Sequence, residues 1–273
     1  MIGISFHSGG HVDKPLPWLI EHLAGIGYDA IEIVCGPKAH ILTGEPLEPQ
    51  LAQTKELLAK HGLVVSAINP YTQPAMVNFA KEDFDGCVAR WSTLVDIAVA
   101  LNATHVNFLT GWLSDGDTAA WRLLIDVLKA LMPYAESQGK YLAIHNHEAN
   151  IIDSPDKCLR LIEAVGSPNL KVLCDITNFY ILGADIGQAI HRVGPHIVHC
   201  HLKGVMGKYP YNEFIVPGDE RDEEPFEPFA AALGEVGYDR YISAETFTRL
   251  RQDKAQVAYD MMAPALAKLG LRP

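Results

Sequence analysis

One alternation runs the length of this chain and constrains its fold more than any single motif. An amphipathic helical stretch ends at Gly or Asn, and a short β-branched run follows within a few residues. The first copy is WLIEHLAGIGYDAIEIVCG. In it Leu19, Leu23 and Ile26 share a helical face, Gly27 ends the helix, and Ala30 to Val34 reads as a strand. Similar junctions recur at KHGLVVSAINP (60–70), ALNATHVNFLTG (100–111), SQGKYLAIHNHE (137–148), SPNLKVLCDITN (167–178), RVGPHIVHCHLKG (192–204) and EVGYDRYISAETF (235–247). The opening run Ile2–His7 brings the count to eight strands. Between them, 117–138 places Trp121, Leu124, Ile125, Leu128 and Leu131 at helical spacing, and 253–269 does the same with Val257, Met261, Ala265 and Leu269. Asp115 and Asp117 read as a helix start.

Eight units in 273 residues is about 34 residues each, near the size of a βαβ repeat. Alternating short strands and helices imply a parallel sheet, and eight such units close into a barrel. The G-x-G-x-x-G turn of dinucleotide-binding open sheets is missing. The expectation is α/β, a single (β/α)8 TIM barrel over 1–273, with a long strand-seven loop at about 204–224. That loop carries Tyr209, Tyr211, Phe214 and a PGD turn, and is long enough to act as a lid or to contact another subunit.

Composition excludes several classes. Lys plus Arg number 22 against 33 Asp plus Glu, a formal charge of −11, which argues against gripping a phosphate backbone. No run of roughly 18 apolar residues is long enough to span a membrane. The opening MIGISFHSGG lacks a basic n-region and is not read as a signal peptide. Five cysteines, odd in number and without a C-x-x-C pair, read as buried thiols in a reducing cytoplasm. Twelve histidines are a high count beside 22 Lys plus Arg.

In a barrel of this kind the active site lies at the C-terminal strand ends, and strand residues alternate faces. Strand five puts Ala143, His145 and His147 on one face. Strand seven puts Ile197, His199, His201 and Lys203 together, strand eight Ser243 and Glu245, strand six Leu173 and Asp175. Strand four offers His105 and Asn107, strand two Glu32. Buried polar groups need partners, and a divalent metal supplies one. Imidazole with carboxylate suits Mn²⁺, Co²⁺, Zn²⁺ or Fe²⁺ better than Ca²⁺. The expected ligands are His145, Asp175, His201 and Glu245, one from each of four consecutive strands. A lone histidine or carboxylate at a strand end is ordinarily a hydrogen-bonded structural residue or a cap; four successive ones are not. His147, Lys203, Asn107, Glu32 and His7 are candidate substrate contacts. His11 shares the HSGGH loop with His7, one of His147 and His199 can orient a ligand instead, and His105 reads as structural. Lys203 can also pair with a carboxylate.

The chain resembles the xylose isomerase-like TIM-barrel superfamily of sugar isomerases, epimerases and inosose dehydratases. The resemblance spans essentially the whole chain. It is carried by GYDAIEI at 27–33, CDITNFYILGAD at 174–185, VHCHLKG at 198–204, VPGDERD at 216–222 and GYDRYISAE at 237–245. It implies one divalent metal, Mn²⁺ foremost with Co²⁺, Mg²⁺, Zn²⁺ or Fe²⁺ as alternatives. The family set of Glu, Asp, His and Glu falls on His145, Asp175, His201 and Glu245. The resemblance also implies proton abstraction α to a carbonyl and a metal-stabilised enediolate.

Two positions depart from that pattern. His145 stands where the family has Glu, so it is either a ligand or a base, and Glu245 remains the one glutamate of the catalytic pair. Glu148, on the opposite strand face, replaces it poorly unless the strand ends there. Asn178 stands where the related ketose 3-epimerases carry a substrate-binding His, and is kept as a candidate substrate contact. The leading expectation is a metal-dependent isomerase or epimerase of a keto-sugar or polyol-like carbonyl compound, with Glu245 and His145 catalytic. The alternative is a lyase or dehydratase eliminating from a keto-sugar or inosose. An abasic-site endonuclease and a non-catalytic sugar-binding subunit are the remaining readings. The expected partners are a small carbohydrate and a second copy of the chain, without nucleic acid or membrane.

Overall fold

The computed structural model describes residues 1–71, 75–76, 84–111, 118–246 and 253–273. Asp115, Asp117 and Phe247 lie outside them. The eight expected strands are present: β1 (Gly3–His7), β2 (Ala30–Gly36), β3 (Val64–Pro70), β4 (His105–Leu109), β5 (Tyr141–His145), β6 (Leu170–Asp175), β7 (Ile197–Leu202) and β8 (Tyr241–Ala244). All pair in parallel, each with its sequence neighbours, and β1 pairs with both β2 and β8, so the sheet closes into a barrel. A two-residue strand, Ile41–Leu42, extends β2.

Helices α1 (Leu16–Ile26), α2 (Leu47–His61), α3 (Phe84–Ala100), α4 (Thr118–Ser137), α5 (Pro155–Val165), α6 (Ile176–Ile181), α7 (Ile186–Val193), α8 (Phe226–Glu235) and α9 (Lys254–Lys268) fill the connections, with α6 and α7 sharing the one after β6. The apolar stripes decide where each helix sits. Leu16, Leu19, Ile20 and Leu23 of α1 are buried against the sheet, and the helix stops at Gly27, whose φ of +113° a side-chain-bearing residue rarely adopts. In α4 the buried set includes Leu124, Leu128 and Leu131 of the expected stripe, while Trp121 and Ile125 are half-buried.

Helix α9 differs from expectation by one residue. Its fully buried positions are Ala255, Ala258, Met262 and Leu266, and Val257, Met261, Ala265 and Leu269 are only half-buried. Small alanines let this helix approach the barrel closely enough for the Tyr28 hydroxyl to donate to the Ala255 carbonyl at 2.8 Å. The larger Met261 packs instead over Gly218 of the strand-seven loop.

That loop contains an antiparallel hairpin, Gly204–Met206 with Glu213–Ile215. Its tip is exposed at Tyr209 and Tyr211, whereas Phe214 turns inward. A Cβ at Gly204 would collide with the Val216 backbone carbonyl, so the hairpin closes onto the PGD turn only with glycine there. Gly204→Ala is expected to cost about 1–3 kcal/mol through this overpacking. Urea unfolding would measure it, and faster proteolysis within 204–224 would place the damage in this loop.

Candidate active site

Ala143 and Leu173 share strand faces with His145 and Asp175, and with Val198 they form a small apolar cluster apart from the main core. The polar groups cluster at the strand ends. Asp175 ends β6 and caps α6, its Oδ1 accepting the Asn178 amide at 3.0 Å. Its Oδ2 is 2.9 Å from His145 Nε2 and also receives the Lys203 ammonium. Lys203 Nζ lies 2.7 Å from Glu245 Oε2, and His201 Nδ1 lies 3.3 Å from the same oxygen. Ligand atoms of His145, Asp175, His201 and Glu245 all fall within 4.8 Å of one another. All four residues are buried.

Burial alone would push both carboxyls up. For Asp175 the Lys203 ammonium and His145 outweigh it, and for Glu245 Lys203 and His201 do; both are held below the usual carboxylate range. Burial would likewise discharge Lys203, but Asp175 and Glu245 raise its pKa instead. Burial also opposes the charged form of His201, yet Glu32 and Glu245 push it up to about 10. His145 goes the other way. Burial dominates, the Asp175 contact offsets only part of it, and its pKa is lowered to about 4. A neutral imidazole of this kind is the form that ligates a metal or accepts a proton.

These residues fit a divalent cation. His201 Nδ1 and Glu245 Oε2 are fully enclosed and face each other without a hydrogen bond of acceptable geometry between them, and Oε2 also meets the Lys203 ammonium at 2.7 Å. Glu32, Asp175 and Glu245 are buried close to Lys203 and His201, a concentration of carboxylate oxygen that a divalent ion would share. Two imidazoles and two carboxylates form a donor set suited to Mn²⁺ and its first-row neighbours.

The other expected site residues separate by depth. Strand β5 ends at His145, so His147 lies in the following loop and not on the strand face, its Nδ1 2.8 Å from the Glu148 carboxylate. This pair is partly exposed, and the Glu148 contact offsets burial and raises the His147 pKa. His7 sits at the end of β1 with Nε2 3.8 Å from both Glu32 and Glu245. His11 stacks on Phe6 instead of joining His145, Asp175, His201 and Glu245.

Glu32, Asn107 and Asn178, expected as substrate contacts, are almost wholly enclosed. Glu32 Oε1 accepts from Asn69 and Asn107, and Oε2 from His199. Asn178 Nδ2 donates to the Asn146 carbonyl. Alternation gave their inward face; the Glu32 carboxylate and both Nδ2 groups are held by neighbours, while Asn107 Oδ1 and Asn178 Oδ1 make no hydrogen bond. His105 packs against His199 and bonds Thr104, a structural placement.

Two supporting residues escaped the sequence reading. Asn146 clamps Asp175 through its backbone, donating to the carbonyl and accepting from the amide, both at 2.8 Å. Thr177 Oγ1 accepts from the Lys203 amide at 2.9 Å and donates to its carbonyl at 3.1 Å. The signal for Asn146 was an amide between two histidines in IHNHE; Thr177 offered none.

A family model described as a xylose isomerase-like TIM barrel matches residues 20–265. The chain belongs to that family. Within this xylose isomerase-like group, it is 22% identical over 244 residues to a D-psicose 3-epimerase of Enterocloster bolteae, covering 84% of this chain and 75% of that protein. It is 23% identical over 241 residues to the D-psicose 3-epimerase of Agrobacterium fabrum, covering 84% and 78%. A crystal structure of D-psicose 3-epimerase in the presence of D-fructose superposes with a TM-score of 0.80 at 17% identity, over 98% of this chain and 100% of that one. The probable 3-DHS dehydratase of Bacillus anthracis superposes at 0.79 and 16% identity, over 96% and 99%. Among the described residues no helix is long and apolar enough to cross a membrane.

Proposed function

We propose that this chain is a divalent-metal-dependent isomerase or epimerase acting on a keto-sugar or polyol-like carbonyl compound. The observation that carries the reading is the enclosed set of His145, Asp175, His201 and Glu245, whose ligand atoms all lie within 4.8 Å of one another. The epimerase relatives support the carbohydrate class. His145, Asp175, His201 and Glu245 would hold the ion, Mn²⁺ foremost, which would supply Lewis-acid polarisation of the substrate carbonyl.

The chain's own groups divide the remaining work. Glu245 stays ionised beside Lys203 and His201, and its carboxylate takes the proton α to the carbonyl. The Lys203 ammonium, already against Glu245 and Asp175, donates to negative charge developing on the substrate oxygens. His145, neutral and tied to Asp175, is held in the form that ligates the ion, and the proton that Glu245 takes is the one Glu245 returns to the neighbouring carbon. The Phe214 ring, 5.5 Å from the Lys203 nitrogen, comes from the strand-seven hairpin, which would cover the bound sugar and keep water out.

A second reading, elimination by a lyase or dehydratase, rests on His145 itself. With His145 where the family has a second glutamate, no carboxylate stands opposite Glu245 to reprotonate the other face, and the proton Glu245 takes can leave with a departing oxygen instead. One experiment separates the two. Mn²⁺-loaded protein would be incubated with D-psicose, D-fructose and other keto-sugars in D₂O. Deuterium at the carbon beside the carbonyl, without loss of water, is the expected result. Loss of water or an alcohol would favour elimination, and no exchange with any keto-sugar would refute both.

A further inference from the structure

The geometry points to a role for Glu32 that rests on the four-ligand reading above. We propose that Glu32 is a positioning residue: it fixes the tautomer of His201 so that Nδ1 is the atom turned toward the metal ligands.

The argument begins with where Glu32 comes from. It is the third residue of β2, while His201 lies on β7, across the barrel. Both carboxylate oxygens reach the same imidazole nitrogen, Nε2, at 3.0 and 2.8 Å. A carboxylate can only accept, and an imidazole that gives Nδ1 to an ion keeps one N–H. The hydrogen therefore sits on Nε2. Placed on Nδ1, it would leave the Nε2 lone pair against two oxygens in a site closed to water, with nothing to relieve the repulsion.

The carboxylate cannot turn away to accommodate that alternative. Asn69 Nδ2 donates to Oε1 at 2.9 Å, Asn107 Nδ2 to Oε1 at 2.8 Å, and His199 Nε2 lies 3.0 Å from Oε2. These come from β3, β4 and β7, so three strands hold the group in one orientation. With Nε2 occupied, Nδ1 is the nitrogen left to hold an ion; it lies 3.3 Å from Glu245 Oε2, among the four ligand residues. Ligand atoms of Glu32, His199 and His201 are themselves close enough to surround an ion. Their hydrogen bonds argue otherwise, because an ion there would need both imidazoles stripped of the protons they give Glu32. The structure thus assigns one ion per chain, with Glu32 outside its coordination sphere.

The test combines a variant with a measurement on the unmodified protein. Glu32→Gln keeps the size of the side chain but gives it N–H groups that can face His201 Nε2. Calorimetric titration with Mn²⁺ is expected to show one ion per chain in the native protein and about 10–100-fold weaker binding in the variant. Long-range proton–nitrogen NMR of histidine-labelled native protein loaded with Zn²⁺ is expected to show His201 protonated at Nε2. Its signal would be assigned by its loss in His201→Gln. This spectrum reports the tautomer even if Glu32→Gln does not fold. A proton on Nδ1, two ions per chain, or unchanged affinity in folded Glu32→Gln would each overturn the role of Glu32 while leaving the four-ligand site standing. Native protein that binds no Mn²⁺ would overturn both.

Discussion

Glu245→Gln is expected to lower turnover about 10²–10⁴-fold, the contribution of a positioned general base. The amide cannot accept a proton from carbon, yet it matches the carboxylate in size, so the loss should appear without unfolding. The environment makes this the most damaging isosteric change at the site. Against the push of burial, Lys203 and His201 hold Glu245 in its ionised form, the form a base requires. Far-ultraviolet circular dichroism of the variant should match the native protein, with a fall in Tm from the lost pairing with Lys203 and His201 that leaves it folded at assay temperature. Deuterium exchange into the keto-sugar should be lost together with net turnover. Exchange at the native rate would remove Glu245 from the role of base.

Asp175→Ala is expected to be the most destabilising single change at the strand ends. It removes a carboxylate that meets the Lys203 ammonium and His145 on one oxygen and caps α6 with the other. Breaking a buried ion pair from one side leaves an uncompensated charge and costs about 3–5 kcal/mol. In a chain of this size each kcal/mol moves Tm by roughly 2–4 °C, so a fall of at least ~6 °C is expected. Asp175→Asn should lose less, because its amide oxygen can still accept from Asn178. Equal Tm values for the two variants would show that the α6 cap adds nothing beyond the lost charge, and a native Tm in Asp175→Asn would show that the charge at 175 does not hold Lys203 in place.

The barrel was legible because its signal is periodic and repeated. Each helix stripe and each β-branched run is weak alone, but eight copies in register with glycine-ended helices leave few alternatives. The miss in α9 came from reading the bulkiest residues as the buried ones. The barrel instead selects Ala255 and Ala258, because close approach needs small side chains. The four ligand residues were legible for a local reason, since each lies at a strand end and alternation places it inside. Bonding partners were not. Glu32, Asn107 and Asn178 occupy the same inward faces, but which neighbours bond them depends on strand stagger and on partners far away in sequence. His147 slipped because β5 stops two residues earlier than its alternation suggests, and Asn146 gained its role from the same stop. The Glu32–His201 contact joins residues 169 positions apart, and no local pattern carries it.

The most direct test of the central claim is an anomalous difference map from crystals of the native protein grown with Mn²⁺. The expected map holds one manganese peak per chain, bounded by His145, Asp175, His201 and Glu245. A peak among Glu32, His199 and His201 instead, or no peak in this cavity at saturating Mn²⁺, would contradict it.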